Sequence, residues 1–202
     1  MNPAPIIGVL AIQGAVREHL ALLEAAGATA VPLQRSSDIA GLAGIVLPGG
    51  ESTTISKLAV IDGLMDPLRE AAASGLPMYG SCAGMILLAD RILDGHPDQQ
   101  TIGGIDMTVR RNAFGRQVDS FEGGIDLEGI EGGPFPGIFI RAPWVEEIGS
   151  AVQVLARVSG GDADGRIVAV RDRNLIATSF HPELTGDTRV HRYFVEMVRQ
   201  AA

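Results

Sequence analysis

At 202 residues, 46% of them hydrophobic and 20% charged, the chain has the size and composition of one globular domain that buries a full core. A formal charge of −8, with only 16 scattered basic residues, argues against nucleic acid or an anionic membrane as its partner. No apolar run nears the ~18–20 residues of a bilayer span, no basic stretch precedes the first apolar segment, and one cysteine cannot close an internal disulfide, so a cytoplasmic location is expected.

Residues 6–12 (IIGVLAI) form an uninterrupted apolar run, the pattern of a strand covered on both faces. After Gly14, Val16, Leu20 and Leu23 recur at helical spacing, and Gly27 supplies a stop. Residues 28–33 and 44–50 read as further strands. Residues 54–73 read as helix with a break near Asp62–Gly63, 76–80 (LPMYG) as a strand, and 83–93 (AGMILLADRIL) as a helix. This alternation predicts a parallel sheet with helices on both faces. Beyond residue 104 the pattern changes: 105–112, 135–143, 151–158, 165–172 and 175–180 are strand-like and separated by Gly, Asp and Pro. These predict antiparallel strands beside the parallel ones. A closing helix places Val190, Tyr193, Phe194, Met197 and Val198 on one face. The expectation is a single α/β domain over 1–202, with a mixed, largely parallel sheet flanked by helices.

The only cysteine stands in Gly80-Ser81-Cys82-Ala83-Gly84, between a predicted strand and a predicted helix. That is the form of a nucleophile elbow, in which a sharp strand-to-helix turn lifts the reactive side chain above the sheet edge and flanking glycines relieve crowding. The first amides of the following helix favour a thiolate, and the Ala83 N–H is placed to donate to an oxyanion. A glycine-rich packing turn around an inert thiol fits the same five residues.

Four histidines are candidates for the base. His19, His96 and His191 read as solvated surface residues, whereas His181 follows the apolar strand LIATSF in SFHPEL. Along an extended segment His181 and Glu183 point to one side, and Pro182 biases His181 toward extension. Glu183 can then accept one imidazole proton and leave the other nitrogen facing sulfur. In VLPGGESTT (46–54), Gly49-Gly50 frees backbone amides to face a ligand. The segment lacks a basic residue before Lys57, unlike a phosphate-binding loop. Glu51 beside free amides suits a zwitterion, while a plain turn capped by Ser52 or Thr53 is also open. One cysteine and the histidine spacing imply no metal, and no organic cofactor is called for.

LPGGES, GSCAG and SFHPEL, in that order, resemble the class I (triad) glutamine amidotransferases. GVLAIQGAVREH, LPGGESTTISKL, RRNAFGRQVDSFE, FIRAP and the VHRYFVEMV tail extend the likeness, over nearly the whole chain, to the glutaminase subunits of pyridoxal 5'-phosphate synthases. The resemblance implies hydrolysis of L-glutamine through a γ-glutamyl thioester on Cys82. His181 would be base and then acid, with Glu183 orienting it, and the ammonia would pass to a synthase subunit in a hetero-oligomeric complex. It further implies glutamine contacts at Gly50, Glu51, Ser52, Arg111, Ile140 and Arg141, and an oxyanion hole from the Gly49–Gly50 peptide with Ala83. Pyridoxal phosphate would be the product of the complex, not a ligand of this chain. Ser81 stands where that family commonly has threonine. A glutaminase of another pathway, or a redox-sensing α/β protein that uses Cys82, are the alternatives.

Overall fold

The computed structural model describes residues 3–114 and 120–201, so residues 115–119 of the RNAFGRQVDSFE segment lie outside the described residues. Twelve strands are described: β1 Ile6–Leu10, β2 Thr29–Leu33, β3 Gly44–Leu47, β4 Met78–Ser81, β5 Ala89–Leu93, β6 Ile105–Arg110, β7 Ser120–Ile125, β8 Phe135–Ile140, β9 Trp144–Ile148, β10 Gln153–Arg157, β11 Ile167–Asp172 and β12 Leu175–Thr178. The α-helices are α1 Val16–Ala25, α2 Ser52–Ile61, α3 Met65–Ala73, α4 Ala83–Leu88 and α5 Arg189–Ala201. The main sheet runs β2-β1-β3-β4-β12-β11-β9-β6-β5, with β10 also on β11, and β7 and β8 form a separate antiparallel pair. Pairing is parallel from β2 through β12 and antiparallel across β12–β11, β11–β9 and β9–β6. The fold is α/β with a mixed sheet whose parallel half comes from the first half of the chain, joined there by β12.

The central strands are buried on both faces, which is why their sequences run apolar without alternation. Side chains still alternate between two cores. Ile45, Leu47, Met78 and Ala177 pack with α2, α3 and α4, whereas Val46, Tyr79 and Ile176 pack toward Leu23 of α1 and Val190, Phe194 and Val198 of α5. Each such fully buried large side chain contributes about 1.5–3 kcal/mol. The two layers clamp the sheet and fix the carboxyl ends of β1, β3, β4 and β12 along one edge.

Three expectations are corrected. The helix read over 83–93 ends at Leu88, and Ala89–Leu93 becomes β5, parallel to β6. Its six helical residues are all buried, so the helix has no polar face to continue on. Asp90 accepts the Gly104 N–H, and Arg91 bonds Thr108 and Asp106, which holds the strand. Strands β7 and β9 were not foreseen, since glycine breaks the pattern of the first and WVEEI is partly polar. The helix read over 54–73 starts two residues earlier, at Ser52, while its expected break is present between Ile61 and Met65, around Gly63 at φ +66°.

Candidate active site

The turn from β4 into α4 is made by Cys82 at φ 49°, ψ −99°, a region non-glycine residues rarely occupy. Neither flanking glycine has a positive φ. They are needed for close approach instead, because a Cβ on Gly80 would strike the Gly84 carbonyl and one on Gly84 would strike the Leu47 carbonyl. The Cys82 N–H donates to the Thr178 carbonyl at 2.7 Å, tying the elbow to β12. Such strain persists only where the surroundings over-determine it, as at reactive sites.

Immediately past Phe180, itself fully buried, the chain turns. The His181 N–H donates to the Ile138 carbonyl at 2.9 Å, and Pro182–Leu184 form a 3₁₀ turn. His181 Nδ1 and Glu183 Oε1 lie 2.7 Å apart, with the carboxylate fully buried. The reason given from sequence is therefore corrected. The two side chains meet because a proline-started turn closes on itself, not because an extended strand points them to one side. A carboxylate can only accept here, so the proton sits on Nδ1 and Nε2 is left for sulfur. Burial disfavours charging His181, but hydrogen bonds to Cys82 and Glu183, and their charge, outweigh it and push its pKa up to about 10.

Cys82 and His181 open onto a cavity of about 340 Å³. Gly50, Glu51, Ser52, Arg111, Ile140, Arg141 and Ala83 line it, so these sequence-read contacts converge from four separate segments. Gly49 stands behind the imidazole: a Cβ there would lie 2.5 Å from His181 Cε1 and 2.7 Å from Nδ1. Its carbonyl accepts the Ala15 N–H at 3.0 Å, which sends the N–H of the same trans peptide, that of Gly50, the opposite way. Glu51, and neither Ser52 nor Thr53, caps α2 by accepting from the Thr53 and Thr54 amides at 3.2 and 2.7 Å. Burial raises its carboxyl, but the bonds from Thr54 and Thr53 win and lower it below the usual range. The same carboxylate meets Arg111 Nη2 at 3.1 Å, which draws a cation and an anion side by side on the cavity wall. Arg141, at φ 45°, and Asn112, at φ 46°, turn their chains into it. Asn112 and Gln13, whose side-chain oxygen accepts the Glu51 N–H at 3.0 Å, were not singled out from sequence.

His19 and His191 were read as solvated and are fully buried. The signal was present: His19 falls between Val16 and Leu23 on the inner face of α1, and His191 beside Val190 and two turns before Val198. His96 is exposed, as expected. Burial, then the charges of His191 and His181, hold His19 well below its ordinary pKa, and burial holds His191 at about 4. Both are neutral at physiological pH. A histidine with a lowered folded pKa binds its proton more readily when unfolded, so its contribution to stability is complete above the unfolded pKa and is lost on acidification. His181 has the opposite sign: its contribution is complete below about pH 6.5 and is lost as pH rises toward 10. From His191 alone, on the order of 2 kcal/mol of unfolding free energy should disappear between about pH 7 and pH 5. Urea unfolding at the two pH values checks this, and His191→Gln should lose roughly that much less. An equal loss in both proteins would show that His191 is not buried neutral.

Among the described residues no cluster of three or more His, Cys, Asp or Glu is arranged to hold a metal ion, and no helix is long and apolar enough to cross a membrane. A model of the SNO glutamine amidotransferase family matches residues 9–200. The chain is 66% identical over 201 residues to "Pyridoxal 5'-phosphate synthase subunit PdxT" of Kineococcus radiotolerans, covering 98% of this chain and 97% of that one. It is 62% identical to the protein of the same name from Streptomyces coelicolor, over 98% of this chain and 96% of that one. A crystal structure described as a glutamine amidotransferase superposes with a TM-score of 0.87 at 45% identity, covering 96% of this chain and 98% of that one. A putative GMP synthase component from Thermoplasma acidophilum shares the fold at a TM-score of 0.66 and 17% identity, over 100% of this chain and 97% of that one.

Proposed function

We infer the chemistry of this chain from a premise those matches fix: it belongs to the SNO glutamine amidotransferase family. It is a glutaminase subunit, hydrolysing glutamine to glutamate and ammonia for pyridoxal 5'-phosphate synthesis. We propose that residues 1–202 act as one glutaminase domain in the cytoplasm, and that Cys82, His181 and Glu183 carry the reaction. The observation that carries this is the strained Cys82 elbow opening onto the cavity shared with His181, whose other nitrogen is held by Glu183.

The Cys82 thiolate adds to the side-chain carbonyl carbon of glutamine, and the developing oxyanion accepts from the Ala83 amide and the Gly49–Gly50 peptide. The imidazolium of His181 gives its Nε2 proton to the departing nitrogen, which leaves as ammonia and breaks the C–N bond. Water then adds to the thioester with His181 as base, and glutamate leaves as the thiolate re-forms. Glu183 keeps Nδ1–H engaged throughout. Glu51 and Arg111 present opposite charges to the amino and carboxylate groups of the substrate, with Ser52, Ile140 and Arg141 completing the wall. Glutamine would enter the Glu51–Arg111 pair as a zwitterion and exchange one ion pair for two.

The ammonia passes to a synthase subunit, with which the chain forms a hetero-oligomeric complex. Glutamate release from glutamine, measured with and without that subunit, tests the assignment. Strong stimulation by the synthase is expected. Turnover indifferent to it would move the same chemistry to another pathway, and no turnover in either case would remove the triad reading.

A further inference from the structure

Glu183 poses a question the triad does not answer. Its Oε1 holds His181, but Oε2 is buried with no hydrogen-bond partner. A buried carboxylate oxygen facing nothing polar would favour rotation or protonation of the group. His19 Nε2 lies 3.6 Å from it, on a side chain that is itself fully buried. That separation is beyond hydrogen-bond length, so the contact acts through the N–H dipole in a buried, low-dielectric setting. Tyr79, the other polar ring nearby, is unavailable, because its hydroxyl pairs with Thr178 Oγ1 at 3.0 Å.

The protons of this cluster can be placed by elimination. His19 Nδ1 lies 2.9 Å from His191 Nε2, and His19 Nε2 lies 3.0 Å from Ser81 Oγ. His191 Nδ1 has no partner. If His19 carried its proton on Nδ1, it would donate to His191 Nε2 and force the His191 proton onto Nδ1. That would leave an orphaned N–H in the core and aim the His19 lone pair at the carboxylate. With both protons on Nε2, His191 donates to His19, and His19 donates to Ser81 with its N–H facing Glu183. The donor left without a protein acceptor is then the Ser81 hydroxyl, which can rotate, and the carboxylate faces an N–H instead of a lone pair. Burial keeps both rings neutral, so the ladder adds no net charge to the site.

We propose that His19 is a positioning residue for the triad: its Nε2–H, fixed by His191 behind and Ser81 beside it, faces Glu183 Oε2 and holds the carboxylate so that Oε1 stays on His181 Nδ1. The proposal rests on the reading of Cys82, His181 and Glu183 as the catalytic groups. His19 touches no substrate and acts only through Glu183. It also joins α1 and α5 to the residue preceding the nucleophile, so the two outer helices register the triad as well as covering the sheet.

Two measurements on the full chain with its synthase subunit decide this. In wild type near pH 7, ¹⁵N-edited NMR should find His19 neutral and protonated on Nε2. An Nδ1–H tautomer or an imidazolium would overturn the proposal without any mutation. In the second, His19→Leu should lower kcat for glutamine hydrolysis by roughly 10–100-fold with KM changed less than about 2-fold. His19→Gln, which restores an N–H donor, should recover most of that loss. If folded His19→Leu retains wild-type kcat, or His19→Gln is no better than His19→Leu, His19 only fills space. Should His19→Leu fail to fold, the tautomer measurement settles the question. Cys82→Ala in the same assay separates the failures: turnover without the thiol sinks the triad reading, whereas an inert Cys82→Ala beside an unaffected His19→Leu sinks the positioning role alone.

Discussion

Cys82→Ala should lower glutamate formation from glutamine by a factor on the order of ten thousand to a million, with glutamine binding retained. The expectation follows from where the sulfur sits. Cys82 is 6% exposed, and its backbone is held at φ 49° by the Thr178 carbonyl and by two glycines that admit no side chain. Alanine leaves that scaffold intact and removes one buried atom, a loss of about 1 kcal/mol in packing. The variant should therefore fold, bind and fail only in chemistry. Calorimetric titration of glutamine beside a coupled glutamate assay checks both halves. Parallel loss of folding and binding would make Cys82 a core residue, and residual turnover within tenfold of wild type would place the nucleophile elsewhere.

Gly49→Ala should be nearly as damaging to turnover, although it deletes no functional group. The added methyl would lie 2.5 Å from His181 Cε1 and 3.1 Å from Glu183 Oε1. Contacts that short do not occur between carbon atoms, so the imidazole must move, and a displacement near 1 Å of a catalytic group costs about a hundredfold. The expected result is a fall of at least that size in kcat, with a melting temperature lowered by only a few degrees. His181 NMR signals should shift with it. Unchanged kcat would show that the imidazole has room to spare and that the glycine serves the turn alone.

How much of this was legible in the sequence depends on which forces act locally. The elbow was readable because strand, turn and helix are encoded within ten residues, and glycines mark where backbones touch. The pairing of His181 with Glu183 was read through the wrong local geometry, since a 3₁₀ turn and an extended strand both bring residues two apart near each other when proline lies between. Burial of His19 and His191 is encoded by helical spacing, although the polarity of an imidazole by itself points to the surface. Each meets the other across 172 residues of chain, and no periodicity announces such a pairing. The contacts of Gln13 and Asn112 were likewise invisible, because they depend on which loops the sheet order brings to one edge. Ala89–Leu93 differs for a related reason: a short segment follows whichever neighbour pairs with it, and that neighbour, β6, lies beyond a loop.

The order of the sheet has a consequence for the making of the protein. Cys82 follows β4 and His181 follows β12, adjacent strands encoded far apart, with Thr178 opposite Ser81. A ribosome adding about 5–20 residues each second emits Cys82 several seconds before His181. Through that interval the parallel half of the sheet lacks its last central strand, and the sulfur lacks the imidazole beside it. A chain released early carries the sulfur without the imidazole that closes the cavity around it.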